Sequence, residues 1–369
     1  MFHFTRHGSG VLSYSILLIL FLGFPGKSKG YGFHDALTYG NSINVVSIRS
    51  AAMAGIKVFG TSGASSVFLN PASLCNVNSL DITVSTSSIA WTEEIVDSTS
   101  VTQRSGTGLG SLSGSLAYRA GTDFVLGAGI AKVSDHQYDG THFLPDDPAH
   151  PGIDIIEILT AKGGLWEALG GASWDLNDNF TVGASAGLRF GEVSYDYMYN
   201  EEFTPDVDST ASWSWDQSEV CYHAGFTLGD DVLSAGACYT SGSSEHYYST
   251  IAFAGKALAE HIGNTTMGFE GEIIDPLNSN YFNGKLSIET PIRYNMNLLA
   301  GVGFNEGENM NRVGLAFSVG GNYQTGRMKV DFALSTMGRS RNSTSFPAEY
   351  SDYVDDSWTH FCIGLQYLI

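Results

Sequence analysis

RSAAMAGIKVFGTSGASSVFLNPASL, residues Arg49–Leu74, decides how the rest of the chain is read. It is built from small residues with one Asn70-Pro71-Ala72 corner, and no apolar–polar alternation runs through it. Nearly everything after it alternates with period two in short runs, the mark of β-strands. A compact small-residue segment ahead of many strands predicts a plug with a barrel built around it.

Upstream, a basic tip at Arg6 and an apolar run from Val11 to Leu22 lead to Ser28-Lys29-Gly30, with small residues where a signal peptidase reads. Residues 1–30 therefore read as a secretory signal peptide and are set aside from the fold. The alternative is a membrane anchor, but the apolar run is shorter than the ~20 residues a spanning helix needs. No second run of that length follows. An exported chain of this kind can still cross a membrane as a closed barrel, because closure pairs every backbone group. Composition leans the same way: only 15 % of residues are charged, against about a quarter in soluble domains. The net charge of -20 excludes nucleic acid as a partner, since phosphates attract basic surfaces.

After a lead-in and plug over residues 31–79, strands fill residues 80–369. Leu80, Ile82 and Val84 alternate with polar residues, and Phe180 to Phe190 gives the longest clean run. At Gly191-Glu192 the apolar parity shifts, so Val193, Tyr195, Tyr197 and Tyr199 continue out of phase, which predicts a β-bulge. Residues 134–162 read as a long loop with a short helix at Ile153–Leu159, and 250–280 as a loop or one more hairpin. Connections alternate between short turns and long polar loops, as in transmembrane barrels. Aromatics such as Tyr195, Trp213 and Trp215 gather toward strand ends and read as interfacial girdles. The class is all-β: a transmembrane antiparallel β-barrel of 14 strands (12–14), with a soluble sandwich as the alternative.

The chain ends Cys362-Ile-Gly364-Leu-Gln-Tyr367-Leu-Ile369. Gly364, Tyr367 and Ile369 resemble the C-terminal signal by which the outer-membrane assembly machinery recognises barrels, with Ile in place of the usual Phe. Cys221 and Cys238 face each other if Gly229-Asp230 is a two-residue hairpin loop. At a non-hydrogen-bonded position their Cα atoms would lie ~4.5 Å apart, which predicts a lumenal disulfide. Two small lumen fillers are the alternative.

Arg49-Ser-Ala-Ala-Met53-Ala-Gly55 and Ala64-Ser-Ser-Val-Phe-Leu-Asn70-Pro71-Ala72 resemble the N-terminal motifs of the outer-membrane long-chain fatty acid transporter family, the FadL type that includes aromatic-hydrocarbon transporters. One Gly of that pattern is Ala54 here, and Thr290-Pro291-Ile292-Arg293 resembles a second family element. The resemblance implies a fourteen-stranded barrel with the N-terminal segment folded inside as a hatch. It further implies passive uptake of hydrophobic, long-chain-fatty-acid-like molecules in the bacterial outer membrane. A second branch with the same pattern acts as a structural or secretion-associated scaffold without hydrocarbon transport.

Candidate hatch residues are Arg49, Gly55, Gly60, Gly63, Asn70, Pro71 and Ala72, the glycines supplying backbone freedom. Arg293, Arg189 and Lys285 are candidates to hold a ligand carboxylate. His136, His142 and His150 lack zinc-type spacing, and no catalytic constellation forms a motif, so no metal, cofactor or enzymatic activity is expected. Expected partners are a hydrophobic small molecule, outer-membrane lipid and lipopolysaccharide, and the barrel assembly machinery.

Overall fold

The structure, a computed structural model, describes residues 41–42, 46–61, 63–96, 101–144, 154–201, 209–242, 249–276, 281–305, 310–344 and 351–369. The signal peptide and most of the lead-in lie outside these residues. Fourteen antiparallel strands form one ring. The first half comprises β1 (Leu80–Val96), β2 (Val101–Arg119), β3 (Phe124–Asp135), β4 (Ile155–Asn177), β5 (Phe180–Glu201), β6 (Ser209–Gly229) and β7 (Leu233–Thr240). The second comprises β8 (Thr250–Ala259), β9 (Thr265–Ile274), β10 (Tyr281–Arg293), β11 (Met296–Asn305), β12 (Met310–Thr325), β13 (Met328–Thr344) and β14 (Ser351–Leu368). Each pairs with its sequence neighbour, and β14 returns to β1 from Leu368↔Asp81 to Tyr353↔Val96, so the wall has no edge there. A short strand, Tyr138–Leu144, continues β3 along the same face of β4.

Residues 250–280 form the β8–β9 hairpin, the second of the two expected options. β1 and β2 are long, paired from Leu80↔Tyr118 to Val96↔Val101. The helix expected at Ile153–Leu159 is instead the start of β4, paired to β5 from Ile155↔Glu201 onward. Its run of β-branched Ile155, Ile156 and Ile158 suits a two-sided strand better than a helix.

Outward side chains make an apolar belt, among them Ile82, Val84, Leu116, Leu286, Val319 and Phe361, all exposed. Inward positions of the same strands are polar or small: Asp81, Ser85, Ser113, Glu270 and Lys285 are buried. Apolar-out and polar-in is the pattern of a wall facing lipid.

The bulge expected at Gly191-Glu192 is absent: β5 keeps unbroken register with β4 and β6 through this point. Its side chains keep their faces while the chemistry of those faces is exchanged. Below Gly191, Leu188 points outward at 49 % exposure; above it, Val193 at 0 % and Tyr195 at 2 % point inward. The parity shift marks where the outer surroundings change from lipid to water; Tyr195, Tyr197 and the partly buried Trp215 belong to an inner core, not a girdle, while Trp213 stays exposed. Tyr138, Leu159, Ala161, Val193, Tyr195 and Tyr197 pack in one buried cluster with Ile95 of β1 and Val354 of β14. Strands that are not ring neighbours therefore touch across the mouth.

Candidate functional site

Residues 46–78 run inside the ring. A short helix, α1 (Ile48–Ala52), starts at Ser47, whose hydroxyl accepts a hydrogen bond from Ser50 N. It stops at Ala54 and Gly55, both at positive φ (57° and 78°), where Gly55 N donates to Ser50 O at 2.8 Å. This is a helix end of the left-handed type that glycine favours. Two 3-10 helices follow, Ala64–Phe68 and Pro71–Asn76. Helix α1 touches β11 to β14, and the 3-10 helices together touch β1 to β6. Contacts on so many strands of one ring are possible only from within it.

The wall makes room by leaving out side chains. A Cβ on Gly301 of β11 would lie 2.5 Å from Met53 C, and one on Gly183 of β5 would collide with Pro71 and Ala72. Asn70 holds the corner: its Oδ1 accepts from Ala72 N at 3.2 Å and its Nδ2 donates to Val58 O at 3.0 Å. Ser73 Oγ donates to the same carbonyl at 3.2 Å. The corner expected at Asn70-Pro71 is thus a buried joint between two turns of the segment.

Charged side chains clamp the segment to β8–β10. Arg49 Nη1 donates to Glu289 Oε1 at 2.7 Å and Nη2 to Glu289 Oε2, a two-pronged pair. Lys285 Nζ donates to Gly55 O at 2.8 Å, Glu270 Oε1 at 2.9 Å and Glu272 Oε2 at 3.0 Å. Glu270 Oε2 in turn accepts from Lys57 N at 2.7 Å and Val58 N at 2.9 Å, and Lys57 pairs with Glu272. Two lysines and two glutamates thus neutralise each other with their donors and acceptors engaged, the condition under which buried charge is tolerated. Glu270, Glu272 and Glu289 were not singled out in the sequence; their period-two spacing with inward parity is the signal that marks them.

The three carboxylate-binding candidates fare differently. Lys285 is committed to the clamp. Arg189 is fully buried and donates to Glu167 Oε1 (2.9 and 2.6 Å), Glu219 Oε1 (2.9 Å) and Ser241 O (3.1 Å). Arg293 is exposed, at the end of β10 beside a register shift at Pro291, and the structure does not bring it to the other two. Of the glycines expected in a hatch, Gly60 lies against Ile56 O, and Gly63 at φ 82° faces Asp81 and Gln366. Both serve close approach in the structure.

Cys221 and Cys238 are free thiols, a correction to the expected disulfide. The β6–β7 turn is wider than two residues. Asp230 Oδ1 accepts from Val232 N and Leu233 N, both at 2.8 Å, and Gly229 pairs with Ser234. Cys238 therefore stands opposite Gly225, four residues along the strand from Cys221, or ~13 Å at strand rise. At the chain end, Gly364 faces Ile48, Tyr367 points outward, and Ile369 N donates to Leu80 O at 2.9 Å.

At the mouth, Tyr197 OH donates to Glu157 Oε1 at 2.6 Å, Tyr195 stacks on Trp213 at 4.9 Å, and His136 meets Trp215 edge-on at 5.4 Å. A cavity of about 1010 Å³ near this end is lined by Glu93, Glu94, Asp355 and Asp356 together with Arg104. Leu315, Phe317 and Met337 line its apolar side. A second cavity, about 80 Å³, lies beside α1.

The BamG family model matches residues 36–227. No curated protein matches the chain. Among solved structures, the chain is similar in fold to a Pseudomonas aeruginosa FadL homologue, at 11% identity and TM-score 0.63, covering 87% of this chain and 97% of that one. The Pseudomonas putida toluene transporter TodX gives 11% and 0.61, with 90% and 99% covered. The Ralstonia pickettii toluene transporter TbuX gives 13% and 0.58, again with 90% and 99% covered. Barrel, belt and shared fold make this a bacterial outer-membrane protein of FadL-like architecture.

Proposed function

The chain belongs to the BamG family, and from that premise we propose that it is a closed structural barrel working beside the outer-membrane barrel assembly machinery. The observation that carries this reading is the clamp. Residues 46–78 occupy the lumen at membrane level, and Lys285, Glu270 and Glu272 hold them from the wall. Arg189 and Lys285 each spend their charge on two carboxylates, leaving no lumenal cation of that set for a fatty carboxylate. Beside the segment, the cavity at α1, about 80 Å³, falls short of the ~300 Å³ at which small-molecule pockets begin, and the larger cavity, about 1010 Å³, lies at the strand ends beside Glu93, Glu94, Asp355 and Asp356. The outward belt would meet lipid, and lipopolysaccharide above it.

Passive uptake of hydrophobic small molecules is the second reading. It is favoured by the fold shared with proteins described as toluene transporters and monoaromatic hydrocarbon channels. For that reading, residues 46–78 would have to act as a movable hatch. Two measurements separate the readings. The tagged protein, solubilised from its own outer membrane, should bring down components of the assembly machinery. The refolded barrel should bind neither toluene nor a fluorescent fatty acid. Saturable binding of either ligand, with no assembly component recovered, would favour uptake.

A further inference from the structure

We propose that the 80 Å³ cavity beside α1 binds a small monovalent anion, of which halides are the simplest, and that the anion ties the inner segment to the wall. This inference stands independently of the barrel's role. The cavity lies between Arg49, Ile56 and Phe59 of the segment and Lys256, Ser287 and Glu289 of β8 and β10. It exists because Gly268 of β9 has no side chain; a Cβ there would come within 2.8 Å of Ser287 Oγ.

Its polar lining is rich in donors. Arg49 turns both terminal nitrogens to Glu289, and its Nε is buried without a hydrogen-bond partner. Ser287 is 5 % exposed, and its Oγ also lacks a partner. Lys256 is held over the Phe59 ring at 5.3 Å and forms no ion pair among the described residues. The nearby Asp231, in the β6–β7 turn, acts on it from beyond ion-pair distance. The one carboxylate at the cavity is fully engaged. Glu289 Oε1 accepts from Arg49 Nη1 at 2.7 Å and Asn297 Nδ2 at 2.9 Å, while Oε2 takes Arg49 Nη2.

Among the lining side chains two cations face one carboxylate, with Asp231 acting on Lys256 and Asp331 on Arg49 from outside the lining. Water can accept from these donors, but an anion also offsets the local excess of cations over carboxylates in the lining, which matters most in a low-dielectric site. A monovalent anion supplies both acceptor and charge. A water occupies roughly 30 Å³ of liquid, so a halide with one water fits the 80 Å³, and an acyl chain does not.

The test uses the full barrel, refolded in detergent and crystallised in sodium bromide. Bromide anomalous density inside the cavity, absent in Lys256→Gln, is the expected result. In parallel, replacing gluconate by bromide at constant ionic strength should raise the unfolding temperature by about 2–4 °C, as a ligand binding only the folded state must. That rise should disappear in Lys256→Gln and in Ser287→Ala, the latter serving if the lysine variant fails to fold. Bromide found only on the surface, or an unchanged halide response in the folded variants, would overturn the site.

Discussion

The lower and upper parts of strand β5 are built on one backbone by opposite rules. From Phe180 to Phe190 the apolar side chains face out and Ser185 and Arg189 face in. From Val193 to Tyr197 the apolar side chains face in, and Ser194 and Asp196 face out. Register is continuous across the change, so the solvent outside, not the geometry of the sheet, sets the pattern. The lumen follows the same division. At membrane level it is filled by small residues and ion pairs; at the mouth it is filled by packed Tyr, Leu and Val. The lower contents should therefore be sensitive to loss of charge and to added atoms at glycine, the upper to lost volume.

Lys285→Met tests the lower region most severely, because it leaves Glu270 and Glu272 buried beside only Lys57. Removing one partner of a buried ion network costs roughly 3–5 kcal/mol, to be read from denaturant unfolding, with new protease sites in residues 46–78. Leu159→Ala is the upper counterpart, with an expected loss of about 2–4 kcal/mol. It should weaken the near-ultraviolet circular dichroism of the mouth aromatics and leave bilayer conductance low. Gly301→Ala places a methyl against Met53 and should cost about 1–3 kcal/mol by overpacking, with intermittent conductance as its readout. Asn70→Ala removes the bonds to Ala72 and Val58 for about 1 kcal/mol, seen as faster proteolysis inside the segment. New protease sites in residues 46–78 appearing as readily in Leu159→Ala as in Lys285→Met would break the distinction between the two regions.

The ring itself was legible because a two-sided wall must alternate, and the strand ends fell close to where the alternation ceased. The same rule misled at Gly191, where a change of phase has two causes, an inserted residue or an exchange of solvents, and the sequence alone does not separate them. The β6–β7 register was lost to one side chain. Asp230 caps two backbone amides and widens the turn, which moves Cys238 four places from its expected partner. On β4 Ile155 faces in with Glu157, while Ile156 and Ile158 face out, so no apolar–polar alternation marks the strand and the sequence reads as a helix there. The clamp was missed because Glu270 and Glu272 sit in the stretch with the weakest strand signal, and a carboxylate's partner across a sheet is set by register.

Ile48 has a consequence for how the molecule is made. It rests against Gly364 of β14, and β14 must find β1 to close the ring, joining Ile369 to Leu80. An early part of the described chain therefore lies behind the seam between the first and last strands of the ring. Pairings so distant in sequence are intrinsically slow. Until they form, the segment is held mainly by strands already in place on either side. Closing the wall and sealing its contents are then a single late event, and any force that parts β1 from β14 also uncovers Ile48.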